Sequence, residues 1–262
     1  MVYKNIVYMN YKQNLQKNTD SMVTSQDFFN LQIETYKNIA GNFDKEQDRD
    51  NRNHLNKIKE INKFLKVENG EKVLEIGIGT GIHAKYLIDF NKDKFFDFYG
   101  VDISQDMLNE AKNKLDEKVK LIYMVGEDLK FENNFFDKIY ISGSLHHFSN
   151  PELGISELLR VLKPGGKFCI MEPNILFPTN FIATCRFPEE IHMRLMKRSN
   201  FKKWLNKHND VEYDILNFAY TPPFPKSFIG FFDIVDKIMF KIPVLKRFSV
   251  MLFVCGVKVG KN

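Results

Sequence analysis

The sequence predicts an α/β protein: a doubly wound, mostly parallel, seven-stranded sheet with an N-terminal helical cap and an insert before the last two strands. Three observations carry this. Between residues 72 and 171, apolar runs of strand length alternate with stretches of helical apolar spacing. The first run ends in a glycine-rich turn, Gly77-Ile78-Gly79-Thr80-Gly81, that leads directly into a helical stretch. After residue 174 the alternation stops and two further strand-like runs follow. The 262 residues suit a single domain with a sizeable insert.

Residues 1–66 divide into a polar arm over 1–24 and a cap with helical apolar spacing over 26–66. Gly41 and the charged run Asp44 to Asp50 are expected to split that cap into two helices. The core spans 67–174. Its strands are expected at Lys72–Ile76, Phe96–Val101, Val119–Met124, Phe136–Ser142 and Lys167–Met171. Helices are expected at His83–Phe90, Ser104–Leu115 and Pro151–Leu162, the last stopped by Lys163-Pro164-Gly165-Gly166. Strands in this order need right-handed crossovers in a parallel sheet. The insert, 175–248, reads as helices and loop, a strand over Val211–Ala219, a Pro-rich break at 221–225 and an apolar helix over 227–242. Residues 249–262 close the sheet with one more strand.

Ligands of open α/β sheets bind at the carboxyl ends of the strands. Glycines after strand one permit a sharp bend and a close ligand approach, and the next helix presents free N–H groups. A tight turn with no ligand explains the same glycines. A dinucleotide fingerprint requires GxGxxG, and its third glycine position is Ile82 here. Glu75 stands two residues before Gly77, where a carboxylate can hold the ammonium of an amino-acid ligand, directly or through water and backbone. Asp102 ends strand two, where an acid commonly accepts ribose hydroxyls. Asp102 could instead cap the following helix, a role open equally to Ser104.

VLEIGIGTG, then YGVDIS with Met107-Leu108, then FDKIYISGSLHHF, then LLRVLKPGG together resemble the class I S-adenosylmethionine-dependent methyltransferases, in particular the type 11 group. The resemblance covers about residues 70–172. It implies a Rossmann-like methyltransferase sheet, S-adenosyl-L-methionine as cofactor and methyl transfer as the activity. It also implies that Glu75, Gly77 and Gly79 surround the methionine part of the cofactor, that Asp102 takes the ribose and that Ile103 packs on the adenine. Met107 either flanks the adenine or belongs to the core. The family's acid after strand three falls at Val125, a departure from the pattern. Glu127 or Asp128 can substitute, and Gly126 can offer its backbone. The Ser142 backbone is a candidate for the cofactor's ammonium.

The loop after strand four, Ser142 to His147, should lie beside the reactive methyl group. His146 and His147 are candidate general bases, since imidazole titrates near neutral pH; the other reading is that they orient loops. No metal site is expected, because adjacent histidines rarely share one ion and no Cys or carboxylate stands at ligand spacing in the sequence. Acceptor-binding candidates outside the sheet are Tyr36, Arg186, His192 and Trp204. Core packing accounts equally well for Tyr36, and a solvated helix face for most of the others.

Charge narrows the partners. The net charge is +5, and residues 221–262 alone hold seven Lys or Arg against two Asp. The rest of the chain is balanced, which argues against nucleic acid as a partner. The basic, Phe-rich stretch Phe228 to Val244 could lie on an anionic membrane or pack on the sheet. No apolar run reaches spanning length and the N-terminus has no apolar signal core, so a cytoplasmic protein is expected, in one reading peripheral at the inner membrane surface. Three dispersed cysteines suggest no disulfide framework. The expected function is methylation of a small-molecule acceptor, on oxygen, with sugar-, quinone- and lipid-linked acceptors all open. The alternatives are a methyltransferase acting on protein or RNA, and a cofactor-binding protein without catalysis.

Overall fold

A computed structural model describes residues 25–47, 51–218, 241, 242 and 245–260. Seven strands form one sheet in the order β3-β2-β1-β4-β5-β7-β6. These are β1 (Lys72–Ile76), β2 (Asp97–Asp102), β3 (Lys120–Tyr123), β4 (Phe136–Ser142), β5 (Leu162–Pro173), β6 (Val211–Phe218) and β7 (Met251–Lys258). The first five run parallel, whereas β7 is antiparallel to both β5 and β6. The strand order reverses at β1, between β2 and β4. A cleft at the strand tips there is where such sheets take ligands.

The helices are α1 (Ser25–Gln47), α2 (Asn51–Leu65), α3 (Ile82–Phe90), α4 (Gln105–Lys114), α5 (Pro151–Val161), α6 (Pro178–Arg186) and α7 (Arg198–Leu205). The predicted core elements appear within a few residues of their expected ends. Two details differ. Gly41 sits inside α1 and does not end it, since nothing lies within 4 Å of where its Cβ would be and the helix simply continues. β5 begins at Leu162, five residues early, because Leu162 pairs with Phe136 before the register slips across the Lys-Pro-Gly-Gly turn and resumes at Lys138–Lys167. Most of the Phe228–Val244 stretch lies outside the described residues. No described helix is long and apolar enough to cross a membrane.

Side chains alternate across a strand, and in β1 that alternation matters for the site. Leu74 and Ile76 face a core that includes Leu158 of α5 and Phe201 and Trp204 of α7. Val73 faces the opposite core, with Ile58 and Ile61 of α2 and Ala84 of α3. Each such fully buried side chain contributes about 1.5–3 kcal/mol of apolar transfer, so both faces of the sheet are held shut behind the strand tips. Ser104 caps α4, its hydroxyl accepting from the Met107 N–H at 3.3 Å. The helix therefore does not need Asp102 as its cap.

Candidate active site

A cleft of about 400 Å³ opens at the strand tips, a size suited to a small molecule. Its floor is the glycine turn after β1. Its lining beyond β2 and β3 includes Asp102, Ile103, Met107, Gly126 and Glu127. The other wall holds Ser142, His146 and His147, with Glu189, Glu190 and Met193 from a 3₁₀ segment, Pro188–Leu195. Helix α1 lies across the opening with Thr35, Tyr36 and Phe43. It is docked by the Gln32 amide donating to the Glu189 carbonyl at 2.9 Å and by Phe28 stacked on His192.

The two glycines do different work. Both have φ in the left-handed region, +74° at Gly77 and +54° at Gly79. A Cβ on Gly77 would lie 2.3 Å from the Ser144 hydroxyl, which donates to the Ile76 carbonyl at 2.9 Å. Gly77 is thus required by the protein's own loop. A Cβ on Gly79 would meet nothing within 4 Å, so Gly79 is the position that leaves room for a ligand.

Asp102 ties the turn to β2. One carboxylate oxygen accepts from the Gly79 N–H at 2.8 Å and the other from the Ser104 N–H at 2.9 Å. Burial pushes its carboxyl up to about 6, against the stabilising backbone N–H groups. Glu75 does not itself reach the cleft, which leaves contact through water and backbone of the two ways the sequence allows. By strand alternation it shares the Val73 face, is 1% exposed, accepts the Tyr140 hydroxyl at 2.7 Å and faces His83 at 3.8 Å. Its carboxyl, raised by burial, lies behind the turn and does not line the cleft. Glu127 accepts from the Asn150 N–H at 3.2 Å, and Met107 is both core and wall.

Around the two histidines the structure assembles what the sequence keeps far apart. Glu172 of β5 accepts from the Leu145 N–H at 2.8 Å and bonds His146 Nδ1 at 2.5 Å. His146 Nε2 stands 3.2 Å from a Glu190 oxygen. Burial opposes charge on His146, but the carboxylates of Glu172 and Glu190 outweigh it and push the imidazole up to about 10. His147 goes the other way. Burial and the neighbouring His146 charge hold it down to about 3, so its ring is neutral. Its Nε2 lies 2.6 Å from the Tyr36 hydroxyl. Burial and then Glu190 raise Tyr36 well above its ordinary value, so it stays a phenol. Two adjacent imidazoles therefore hold opposite protonation states.

Of the acceptor candidates, Tyr36 reaches the cleft directly. His192 sits behind the wall, its Nδ1 bonded to the Phe148 carbonyl at 2.8 Å. Trp204 is 6% exposed in the core against Phe201, and Arg186 is exposed on α6 beside Phe187. Neither Trp204 nor Arg186 lines the cleft. Sequence reasoning missed Glu172, Tyr140 and the His54–His83 pair, bonded at 2.7 Å. None carries a motif, because each acts through a partner at least 26 residues away. Spacing along the sequence did not reveal that the fold brings Glu190 beside both histidines.

Residues 74–170 match the family model described as a methyltransferase domain. The chain carries a class I S-adenosylmethionine-dependent methyltransferase domain. Over 150 residues it is 31% identical to demethylmenaquinone methyltransferase of Clavibacter sepedonicus, covering 56% of this chain and 57% of that protein. Over 134 residues it is 31% identical to the chloroplastic 2-methyl-6-phytyl-1,4-hydroquinone methyltransferase of Arabidopsis thaliana, covering 51% and 38%. The chain thus spans about half the length of these curated relatives or less. The fold is shared with a SAM-dependent methyltransferase from Aquifex aeolicus, at a TM-score of 0.53 and 18% identity, over 77% of this chain and 89% of that one. S-adenosylmethionine is the cofactor of the methyltransferase domain, and the cleft fits it. Gly79 leaves open space where a Cβ would project. The buried Ser142 hydroxyl, on the cleft wall, has no hydrogen-bond partner among the described residues.

Proposed function

We propose that this chain transfers the methyl group of S-adenosylmethionine to an oxygen of a small-molecule acceptor, with a quinol-like ring as the preferred class. The observation that carries the reading is the Tyr36–His147 pair, which lines the same cleft as Asp102. Bound S-adenosylmethionine supplies an electrophilic methyl on a sulfonium, so the protein's work is alignment, exclusion of water and removal of the acceptor's proton. His147, held neutral, has a free lone pair at Nε2 in the tautomer that accepts the Tyr36 O–H. Tyr36 can then receive the acceptor's proton as its own passes to His147. Helix α1 roofs the cleft and limits water. The names of the curated relatives, on demethylmenaquinone and a phytyl hydroquinone, support a ring acceptor with an apolar tail.

A tailed acceptor lives in a membrane, and we infer peripheral contact with an anionic one. Supporting this, Leu176, Phe181, Ile182 and Phe187 on and beside α6 are all about half exposed, with Arg186 and Arg194 among them. Apolar side chains ringed by cations suit a charged lipid interface. This would place the protein at the inner face of a membrane.

The deciding experiment is transfer of radiolabelled methyl to separate pools of isoprenoid quinols, sugars, RNA and protein. Label in the quinol pool, lost in Tyr36→Phe, is expected. Label only in RNA or protein would overturn the reading. So would cofactor binding with no transfer to any pool. Flotation with anionic but not neutral vesicles tests the membrane contact; equal behaviour with both would end that part.

A further inference from the structure

A carboxylate behind one histidine, with a second histidine and a second carboxylate in front of it, is an arrangement that holds metal ions. Glu172 is fully buried and grips His146 Nδ1 at 2.5 Å, which leaves Nε2 as the ring's outward atom. In metal-bound histidines the ring nitrogen away from the metal is regularly fixed by a carboxylate in this way. In front of Nε2, one ligating atom each from His146, His147 and Glu190 lie within 4.8 Å of one another. The Glu190 oxygen facing His146 is buried and has that imidazole's Nε2 at 3.2 Å as its close partner, a contact that an ion between them would replace. All three residues line the cleft, so an ion there would keep a coordination position open toward a bound molecule.

We propose that His146, His147 and Glu190 form a binding site for one divalent transition-metal ion, with Glu172 orienting His146 from behind. Two imidazoles and one carboxylate suit zinc or iron(II) in preference to magnesium or calcium, which favour all-oxygen sites. An ion at about 2.0–2.2 Å from each ligand spans atoms about 3–4 Å apart, so the cluster needs to close by about an ångström. Glu190 can supply that movement, since its side chain is 25% exposed where those of His146 and Glu172 are 5% and 0%. The inference does not depend on the methyl acceptor's identity, but an ion on His147 takes the ring's one lone pair, so the metal-bound form would not use the Tyr36–His147 proton relay and metal binding is expected to inhibit it.

The test uses the full chain, stripped with a chelator, dialysed and titrated with Zn²⁺ against a chromophoric competitor. One equivalent bound per chain is expected. Glu190→Gln and His147→Asn should each abolish it, and Glu172→Gln should weaken it about 10–100-fold, as second-layer carboxylates do. His54→Asn should leave it unchanged, which separates the site from the other histidine pair. Circular dichroism and S-adenosylhomocysteine calorimetry on the same samples report folding and the cofactor site independently. Should a variant unfold, the Co²⁺ form of the native chain decides: paramagnetically shifted resonances from two imidazoles support the site. Stoichiometric binding that survives Glu190→Gln overturns it. So does a Co²⁺ form with no shifted imidazole, or no binding at one equivalent while S-adenosylhomocysteine still binds.

Discussion

The Tyr36 hydroxyl lies 2.6 Å from His147 Nε2, joining the helix over the cleft to the loop after β4 across 111 residues of sequence. If that pair takes the acceptor's proton, losing either member should lower kcat while cofactor affinity holds. Tyr36→Phe and His147→Asn are expected to cost about 10²–10⁴-fold in kcat. Calorimetry with S-adenosylhomocysteine should move by less than about threefold. Full turnover in both variants would remove the pair from the chemistry.

The neutral state of His147 also shapes the pH profile. A base with its pKa held down to about 3 is already deprotonated throughout the neutral range. The rate should therefore show no limb attributable to this imidazole between about pH 5 and 7, where an ordinary histidine titrates. A limb in that range that disappears in His147→Asn would contradict the assigned state.

His146 makes a stability prediction of definite sign. Its folded pKa is raised to about 10 by Glu172 and Glu190 against burial, above an unfolded value of about 6.5. The folded state binds the proton more tightly, so this contribution is full below about pH 6.5 and fades as pH rises through about 10. The difference in Tm between the native chain and His146→Gln should be largest near pH 6 and shrink toward pH 10. A difference that grows with pH would have the sign wrong.

Asp102 accepts the Gly79 and Ser104 N–H groups and lines the cleft. Asp102→Ala should weaken S-adenosylmethionine binding by about 1–3 kcal/mol, through lost ribose contacts and a loosened turn. Unchanged affinity in calorimetry would count against it.

Gly77 offers a test by rescue. Gly77→Ala places a Cβ 2.3 Å from the Ser144 hydroxyl at a φ of +74°. Denaturant unfolding should show a loss of several kcal/mol, of which about 1–2 kcal/mol is the left-handed backbone alone. Adding Ser144→Gly should recover the clash and leave the backbone part. No recovery would mean the hydroxyl is not what excludes the side chain.

The amino-acid sequence by itself determined the alternation of strands and helices, the glycine turn, Asp102 at the tip of β2 and the adjacent histidines in the loop after β4. These are local facts. Apolar periodicity, turn chemistry and position along a strand are set by neighbours in the chain. Only the tertiary structure decided that Glu75 turns its back on the cleft, because that follows from which sheet face packs against α2 and α3. Only it decided that Trp204 belongs to the core, that Glu172 and Glu190 bracket His146, and that two neighbouring imidazoles carry opposite protonation states. Burial and charge in a folded interior come from elements far apart in sequence, and no spacing of residues along the chain encodes them.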